Sequence, residues 1–387
     1  MPRSKGGASI ATRSDRPSVA VVTEIVAPYR IPVFNELARL LEGRLHVYFI
    51  AESERRRGDW PVIRDAIEFE HTVLGGLQAS LPYRGDRLPL YLSRPVLPRL
   101  RRERFDTVVV GGWNHLECYQ ALLYARRSRA RFVFWSETPL FDRQLDSRPA
   151  RNAVKRAVVQ RADGFVTPGV SGARYLKALG AAPGSIHIAP NAVDNDFWSE
   201  RPADATDPTV PTVLFVGRLI EIKGIRVAVE AFRRSQLASV GRLVVAGDGP
   251  ERAAVGRLAP ANVSLLGPQQ MTALRRLYHS STALVFPSNW EVWGVVVNEA
   301  AAAGLPTIGS DRAAAVRDQI EDEVDGLVFP AGDVDALARI FDRVATDPES
   351  LVRLRPGARA LAERASPRAC AEGIAAALVG TSSGRTS

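Results

Sequence analysis

The sequence predicts an α/β protein of two lobes, each a parallel sheet covered by helices on both faces. Three observations predict it. The 387 residues are too many for one ordinary domain and suit two. Short β-branched runs alternate with helical patterns along the whole chain, the pattern of parallel strands joined by helical crossovers. A stretch at 190–211, rich in Pro, Asp and Asn, divides the series in two.

In the first half, strands are expected at 18–23, 45–51, 107–111, 132–136, 164–167 and 186–189, with helices between them at 31–41, 116–126 and 151–161. In the second half, strands are expected at 212–216, 242–246, 263–265, 283–286, 306–308 and 326–329. Helices are expected there at 225–233, 250–258, 271–278, 294–303 and 334–345. This gives two Rossmann-like domains, 18–190 and 191–365. A last helix at 366–379 has no strand after it and is expected to cross back to the first lobe. The polar ends, 1–17 and 380–387, are expected to be disordered. The halves share an architecture but no visible sequence repeat.

Composition narrows the function classes. Hydrophobic residues make up 46% and charged residues 24%, a globular balance. Two cysteines, Cys118 and Cys370, make neither a disulfide framework nor a metal cluster, and point to a reducing, cytoplasmic setting. No run approaches the ~18 apolar residues of a membrane span, and the apolar run at 19–22 is too short for a signal peptide. The net charge of +9 is uneven: residues 1–190 hold 30 Lys and Arg against 18 Asp and Glu, whereas residues 191–387 hold 21 against 24. A first lobe at +12 is either decorated with Arg or faces something anionic, a membrane surface or a phosphorylated acceptor. The segments 94–104 and 151–161 mix Arg and Lys with apolar residues, as a helix lying on an anionic bilayer would, and equally as an ordinary amphipathic helix with a solvated basic face would. Nucleic acid is a weaker partner, because the basic residues lack interleaved aromatic platforms.

Two motifs carry chemistry. The first runs from Pro287 to Ala300, Pro-Ser-Asn-Trp-Glu-Val-Trp-Gly-Val-Val-Val-Asn-Glu-Ala. It follows a buried-looking strand and opens a helix near Gly294, so free N–H groups and the helix dipole make an anion site beside Trp293, Gly294 and Val295. Glu291 falls in the loop above the strand end and Glu299 in the second helical turn, both suited to accept hydrogen bonds from sugar or ribose hydroxyls. The second motif is Leu214 to Gly224, in which a strand ends at Gly217 and is followed by Arg218 and, five residues on, Lys223. A guanidinium fork and a mobile ammonium at that position suit a departing diphosphate. The turn Gly247-Asp248-Gly249-Pro250 lacks the third glycine of a dinucleotide fingerprint, with Arg252 in its place, which argues against a nicotinamide cofactor. Its expected role is a tight turn with Pro at the first helical position.

Together these segments resemble the retaining nucleotide-sugar glycosyltransferases of family 4, which have the two-lobed fold called GT-B. The resemblance rests on Gly217-Arg218-Leu219…Lys223-Gly224, Gly247-Asp248-Gly249-Pro250, Asn191-Ala192-Val193-Asp194 and Glu291…Glu299, which cover nearly all of the second lobe. It implies a nucleotide-sugar donor held there, with Arg218 and Lys223 on the diphosphate, Glu299 on the ribose and Glu291 on the donor sugar. It also implies front-side attack by an acceptor hydroxyl. No cofactor is implied, and no Asp-x-Asp dyad stands at a strand end, so no metal is expected.

The first lobe departs from the family pattern. Where a Gly-rich loop is usual after the first strand, this chain has Glu24-Ile25-Val26-Ala27-Pro28-Tyr29-Arg30-Ile31-Pro32. Tyr29 and Arg30 are candidates for phosphate or acceptor contact. Ser136 and Glu137 stand where relatives often carry a histidine segment, and His115 ends another strand facing the expected cleft. None of these settles a general base. A nucleotide-sugar epimerase on the same fold and a basic nucleic-acid-binding protein are the alternatives.

Overall fold

The computed structural model describes residues 18–53, 64–83, 86–141 and 149–379. Two parallel sheets, each flanked by helices, form two Rossmann-like lobes as the alternation predicted. The strands of the first lobe are β1 (Val19–Ile25), β2 (Leu45–Ala51), β3 (Glu70–Val73), a hairpin β4 (Gly76–Tyr83) and β5 (Asp86–Ser93), then β6 (Thr107–Gly111), β7 (Arg131–Trp135), β8 (Gly164–Thr167) and β9 (Ile186–Ile188). Those of the second are β10 (Thr212–Val216), β11 (Arg242–Ala246), β12 (Val263–Gly267), β13 (Ala283–Phe286), β14 (Thr307–Ser310) and β15 (Gly326–Phe329). The sheet orders are β3-β2-β1-β6-β7-β8-β9 and β12-β11-β10-β13-β14-β15.

Each sheet reverses its winding once, between β1 and β6 and between β10 and β13. Crevices open at the carboxyl ends of the strands at such reversals. The central strands read as unbroken apolar runs because helices cover both faces. Val19 and Val21 enter one core with Phe34 and Leu37, and Ala20 and Val22 enter another with Phe132 and Phe134. Cys118 and Cys370 are buried on opposite faces of this sheet.

Three strands were not expected. Glu70–Val73 is an edge strand, Glu-His-Thr-Val, with no apolar alternation to announce it. The antiparallel pair β4–β5 carries Pro82 and Pro89, residues that argue against a strand except at an edge. The segment expected as one basic helix over 94–104 is helical only at Leu97–Glu103, after Pro95. The helix Pro149–Val159 turns Asn152 and Lys155 inward, with Lys155 Nζ donating to the Tyr175 hydroxyl at 2.6 Å, so its cations do not share one outward face. The helix expected at 250–258 begins at Arg252, leaving Pro250 in the preceding turn.

Helix Pro367–Leu378 packs on the first sheet. Cys370, Ala371, Ile374, Ala377 and Leu378 lie in the core around Phe34 and Val133, and Arg131 Nε donates to the Ala377 carbonyl at 3.0 Å. A second tie between the lobes is Asp318, which accepts from the Ser171 N–H at 2.9 Å and hydroxyl at 2.6 Å at the start of helix Val170–Ala178. Among the described residues, no helix is long and apolar enough to cross a membrane.

The terminal helix docks through close backbone contact. A Cβ on Gly373 would stand 2.3 Å from the Ile188 carbonyl oxygen, whereas one on Gly256, in helix Arg252–Leu258, would meet Leu265 at an ordinary 3.7 Å. Gly→Ala in a helix ordinarily stabilises by up to ~1 kcal/mol. Gly256→Ala is therefore expected to raise the thermal midpoint and Gly373→Ala to lower it. Calorimetry of the two variants checks the opposite signs.

Candidate active site

The second-lobe reversal brings the loops after β10 and β13 together through backbone contact. Gly224 ends the turn Glu221–Lys223 at φ +68°, and a Cβ there would lie 2.0 Å from the Pro287 carbonyl oxygen. The Asn289 N–H donates to the Ile222 carbonyl at 2.9 Å. With the loops stitched in this way, Lys223 forms an ion pair with Glu291, each side chain about one-fifth exposed. The Glu291 backbone is held by its N–H donating to the Arg312 carbonyl at 3.0 Å and its carbonyl accepting from Ala314 at 3.3 Å. Arg218 is exposed on the same loop as Lys223.

Helix Val295–Ala302 begins at Gly294, whose φ of +102° and close fit over the Phe286 ring exclude a side chain. Among the described residues no side chain caps this helix, so its first turn offers backbone donors at the loop that carries Glu291. Trp293, named among the donor contacts, turns its indole into the core, where Nε1 donates to Asn298 at 2.9 Å. Its carbonyl accepts from Ala315 at 3.1 Å, so its part is to hold the loop. Val295 packs partly into the neighbouring apolar clusters. The turn Gly247-Asp248-Gly249-Pro250 is a backbone splice: Leu219 N–H donates to the Asp248 carbonyl at 2.8 Å, and a Cβ on Gly247 would lie 1.9 Å from the Gly217 carbonyl oxygen.

Glu299 lies one turn into this helix and accepts from the Tyr278 hydroxyl at 2.7 Å. Burial pushes its carboxyl up to about 7, and the Tyr278 hydrogen bond offsets only part of that. Sequence reasoning missed Tyr278, which stands 21 residues earlier on another helix and carries no motif. Glu299 lines a cleft of about 800 Å³ between the lobes, together with Tyr29, Asp194, Trp198, Met271 and Leu274.

Of the first-lobe candidates, Tyr29 lines this cleft. Arg30 forms an ion pair with Glu137 and lies over the Trp135 ring at 4.3 Å and the Tyr29 ring at 5.5 Å. Burial is the largest influence and disfavours the guanidinium's charge, but Glu137, Tyr29 and Cys370 together offset it and hold the Arg30 pKa above its ordinary value. Tyr29 packs against the second-lobe core around Val193 and Trp198. Ser136 is set apart: alternation along the chain turns its side chain to the face opposite Trp135, where it is buried and its hydroxyl finds no hydrogen-bond partner among the described residues. His115 precedes helix Leu116–Ser128, with Nε2 3.8 Å from Glu24 and its ring 5.6 Å from Tyr91.

Two adjoining family profiles match this arrangement, one described as Glycosyltransferase Family 4 over residues 33–197 and one as Glycosyl transferases group 1 over residues 196–361. The chain belongs to glycosyltransferase family 4. This family member is 33% identical over 242 residues to 2-deoxystreptamine glucosyltransferase of Streptomyces kanamyceticus, covering 56% of this chain and 60% of that one. It is 30% identical over 210 residues to D-inositol 3-phosphate glycosyltransferase of Xylanimonas cellulosilytica, covering 49% and 50%. Its matches thus span about half the length of these relatives. Among solved structures, HepE of Anabaena in complex with UDP superposes with a TM-score of 0.71 at 16% identity, covering 93% of this chain and 99% of that one. The fold is GT-B.

Glu299 has its pKa raised from 4.5 to about 7 by folding. Between those values the unfolded chain releases a proton that the folded chain keeps, so stability falls as pH rises across that window. Glu299→Gln is expected to flatten this slope, checked by urea unfolding at pH 5, 6, 7 and 8. An unchanged slope in the variant contradicts the assignment.

Proposed function

We propose that the protein is a retaining glycosyltransferase that moves a sugar from a nucleoside-diphosphate sugar on the second lobe to an acceptor hydroxyl entering from the first. The observation that carries this reading is the Lys223–Glu291 pair, fixed beside a helix N-terminus by loops that meet at a sheet reversal. The UDP and UDP-glucose complexes of HepE, a protein of the same fold, support the donor class.

In this reading the donor separates the pair. The diphosphate takes the Lys223 ammonium and the Arg218 guanidinium, and a sugar hydroxyl donates to Glu291 in place of Lys223. Each lost contact is thereby replaced by a charge-assisted hydrogen bond. Glu299 accepts from the ribose hydroxyls. The acceptor oxygen attacks the anomeric carbon on the face from which the phosphate leaves, and its proton passes to the departing phosphate oxygen. Arg218, Lys223 and the dipole of helix Val295–Ala302 stabilise the developing charge without a metal ion. The Arg30–Glu137 pair lines the acceptor side, where Glu137 offers an acceptor for a hydroxyl. Lipid-linked and phosphorylated acceptors both suit the charge of the first lobe.

The test is calorimetric titration with UDP-, GDP-, ADP- and dTDP-sugars, followed by NMR of the product's anomeric configuration. One donor is expected to bind and to give a product of unchanged configuration, with turnover unaffected by EDTA. An inverted product overturns the retaining mechanism. Arg218→Ala is expected to weaken nucleoside-diphosphate binding by roughly 1.5–3 kcal/mol without loss of fold. Glu299→Gln is expected to raise the donor KM, and Glu291→Gln to lower kcat, because only the latter group follows the sugar as its bond breaks. Identical kinetic profiles for the two variants contradict the separate roles.

A further inference from the structure

The first lobe carries an amphiphilic surface away from the candidate active site. Helix Leu116–Ser128 buries Cys118, Ala121 and Ala125 and turns Leu116, Tyr119 and Leu123 outward, three positions on one stripe at 64%, 39% and 39% exposure. Beside its start stands the hairpin β4–β5, where Leu77 and Leu92 are cross-strand neighbours exposed to 74% and 70%. The two elements adjoin: the Ser93 hydroxyl donates to Glu117, and the Tyr91 ring lies 5.6 Å from that of His115. Isolated exposed leucines need no explanation, but five apolar residues on adjoining elements do.

The other end of the surface is cationic. Helix Leu97–Glu103 packs beside helix Leu116–Ser128, with the Leu97 N–H donating to Gln120 at 3.1 Å. Arg104 and Arg129 follow the two helices with left-handed backbones, at φ 58° and 57°. With Arg101 they line a polar cavity of about 410 Å³ that also touches Tyr124 and Ser128. No carboxylate pairs with these three guanidiniums among the described residues. The acid in the cavity wall, Asp106, instead accepts from the Ser18 N–H at 3.0 Å and hydroxyl at 2.9 Å. Arg102, Arg126 and Arg127 are exposed on the same two helices, against Glu103, which Tyr48 and Arg102 engage, and the buried Glu117.

We propose that this face docks on an anionic phospholipid surface, with Arg101, Arg104 and Arg129 holding a lipid phosphate and Leu116, Tyr119, Leu123, Leu77 and Leu92 entering the acyl boundary. The occupant follows from the chemistry. A folded acidic protein would match the guanidiniums but not the apolar stripe Leu116, Tyr119 and Leu123, about 10 Å long at ~1.5 Å per residue, with the exposed Leu77–Leu92 pair on the neighbouring hairpin. A bilayer interface offers phosphates and hydrocarbon side by side.

The test is cosedimentation of the full chain with vesicles of phosphatidylcholine alone and of equal parts phosphatidylcholine and phosphatidylserine. Binding is expected only to the second. It is expected to weaken as salt shortens the Debye length from ~10 Å at 0.1 M to ~3 Å at 1 M. The triple variant R101E/R104E/R129E is expected to lower the partition coefficient by about tenfold or more. The charge-matched variant R242E/R257E/R339E on the second lobe is expected to bind like the parent. L77S/L116S is expected to lower binding at high salt, where the apolar contribution remains. Thermal unfolding and nucleoside-diphosphate affinity are measured on every variant. Loss of vesicle binding with both retained supports the docking face independently of the glycosyltransferase reading. Equal uptake by both vesicles, an equal loss in both charge-reversed variants, or stabilisation by inorganic phosphate without vesicle binding overturns the proposal.

Discussion

The candidate donor site depends on backbone meeting backbone at the carboxyl edge of the second sheet. The loop after β10 lies against the loop after β13 at Gly224 and Pro287, and against the loop after β11 at Gly217 and Gly247, at separations that no Cβ would permit. These contacts fix the origin of each loop, and the side chains on them have little freedom to be elsewhere. Lys223 and Glu291 are 68 residues apart in the chain and meet because their loops are joined a few residues away on either side. Rigid loop bases of this kind are what a site needs when its work is to hold a charged group in one geometry.

Charge among the candidate residues of the two lobes is arranged as pairs that neutralise one another. Lys223 faces Glu291 on one lobe and Arg30 faces Glu137 on the other, each pair half-buried beside an aromatic ring. Leaving one such ion buried without its partner would cost several kcal/mol, so each group keeps its charge by holding its neighbour. A polar ligand that takes over both partners restores that balance, whereas one that engages a single partner leaves a carboxylate or a cation exposed to a poor solvent. Glu299 differs because its neighbour is a phenol, and burial acts on it with little opposition.

The lobes are tied at separate points with different chemistry. The terminal helix belongs by sequence to the end of the second lobe and by packing to the first, since the face carrying Cys370, Ile374 and Ala377 completes the core around Phe34. Asp318 closes the start of helix Val170–Ala178, where its charge faces backbone donors and the helix dipole. Tyr29 reaches across to Val193 and Trp198. The first is an apolar contact that holds the chain together, and the second is a hydrogen-bonded contact that water can replace.

The sequence by itself determined the element order, the two parallel sheets and the loops that carry Arg218, Lys223 and Glu291. Unbroken apolar strands, glycines at strand ends and helical periods are local signals that need no knowledge of neighbours. It did not disclose Glu70–Val73 or the β4–β5 hairpin, because edge strands bury too little to show alternation and tolerate the prolines that argue against them. It placed Trp293 among the donor contacts when its indole is core, and grouped Ser136 with Glu137 when the two turn to different surroundings. Side-chain direction at a loop is set by what the loop packs against, and that is decided in three dimensions. The Tyr278–Glu299 bond, the Arg30–Glu137 pair and the convergence of Arg101, Arg104 and Arg129 on one cavity are of the same kind. Each joins residues from different elements, and only the closing of the tertiary structure brings them within hydrogen-bonding or Coulombic reach.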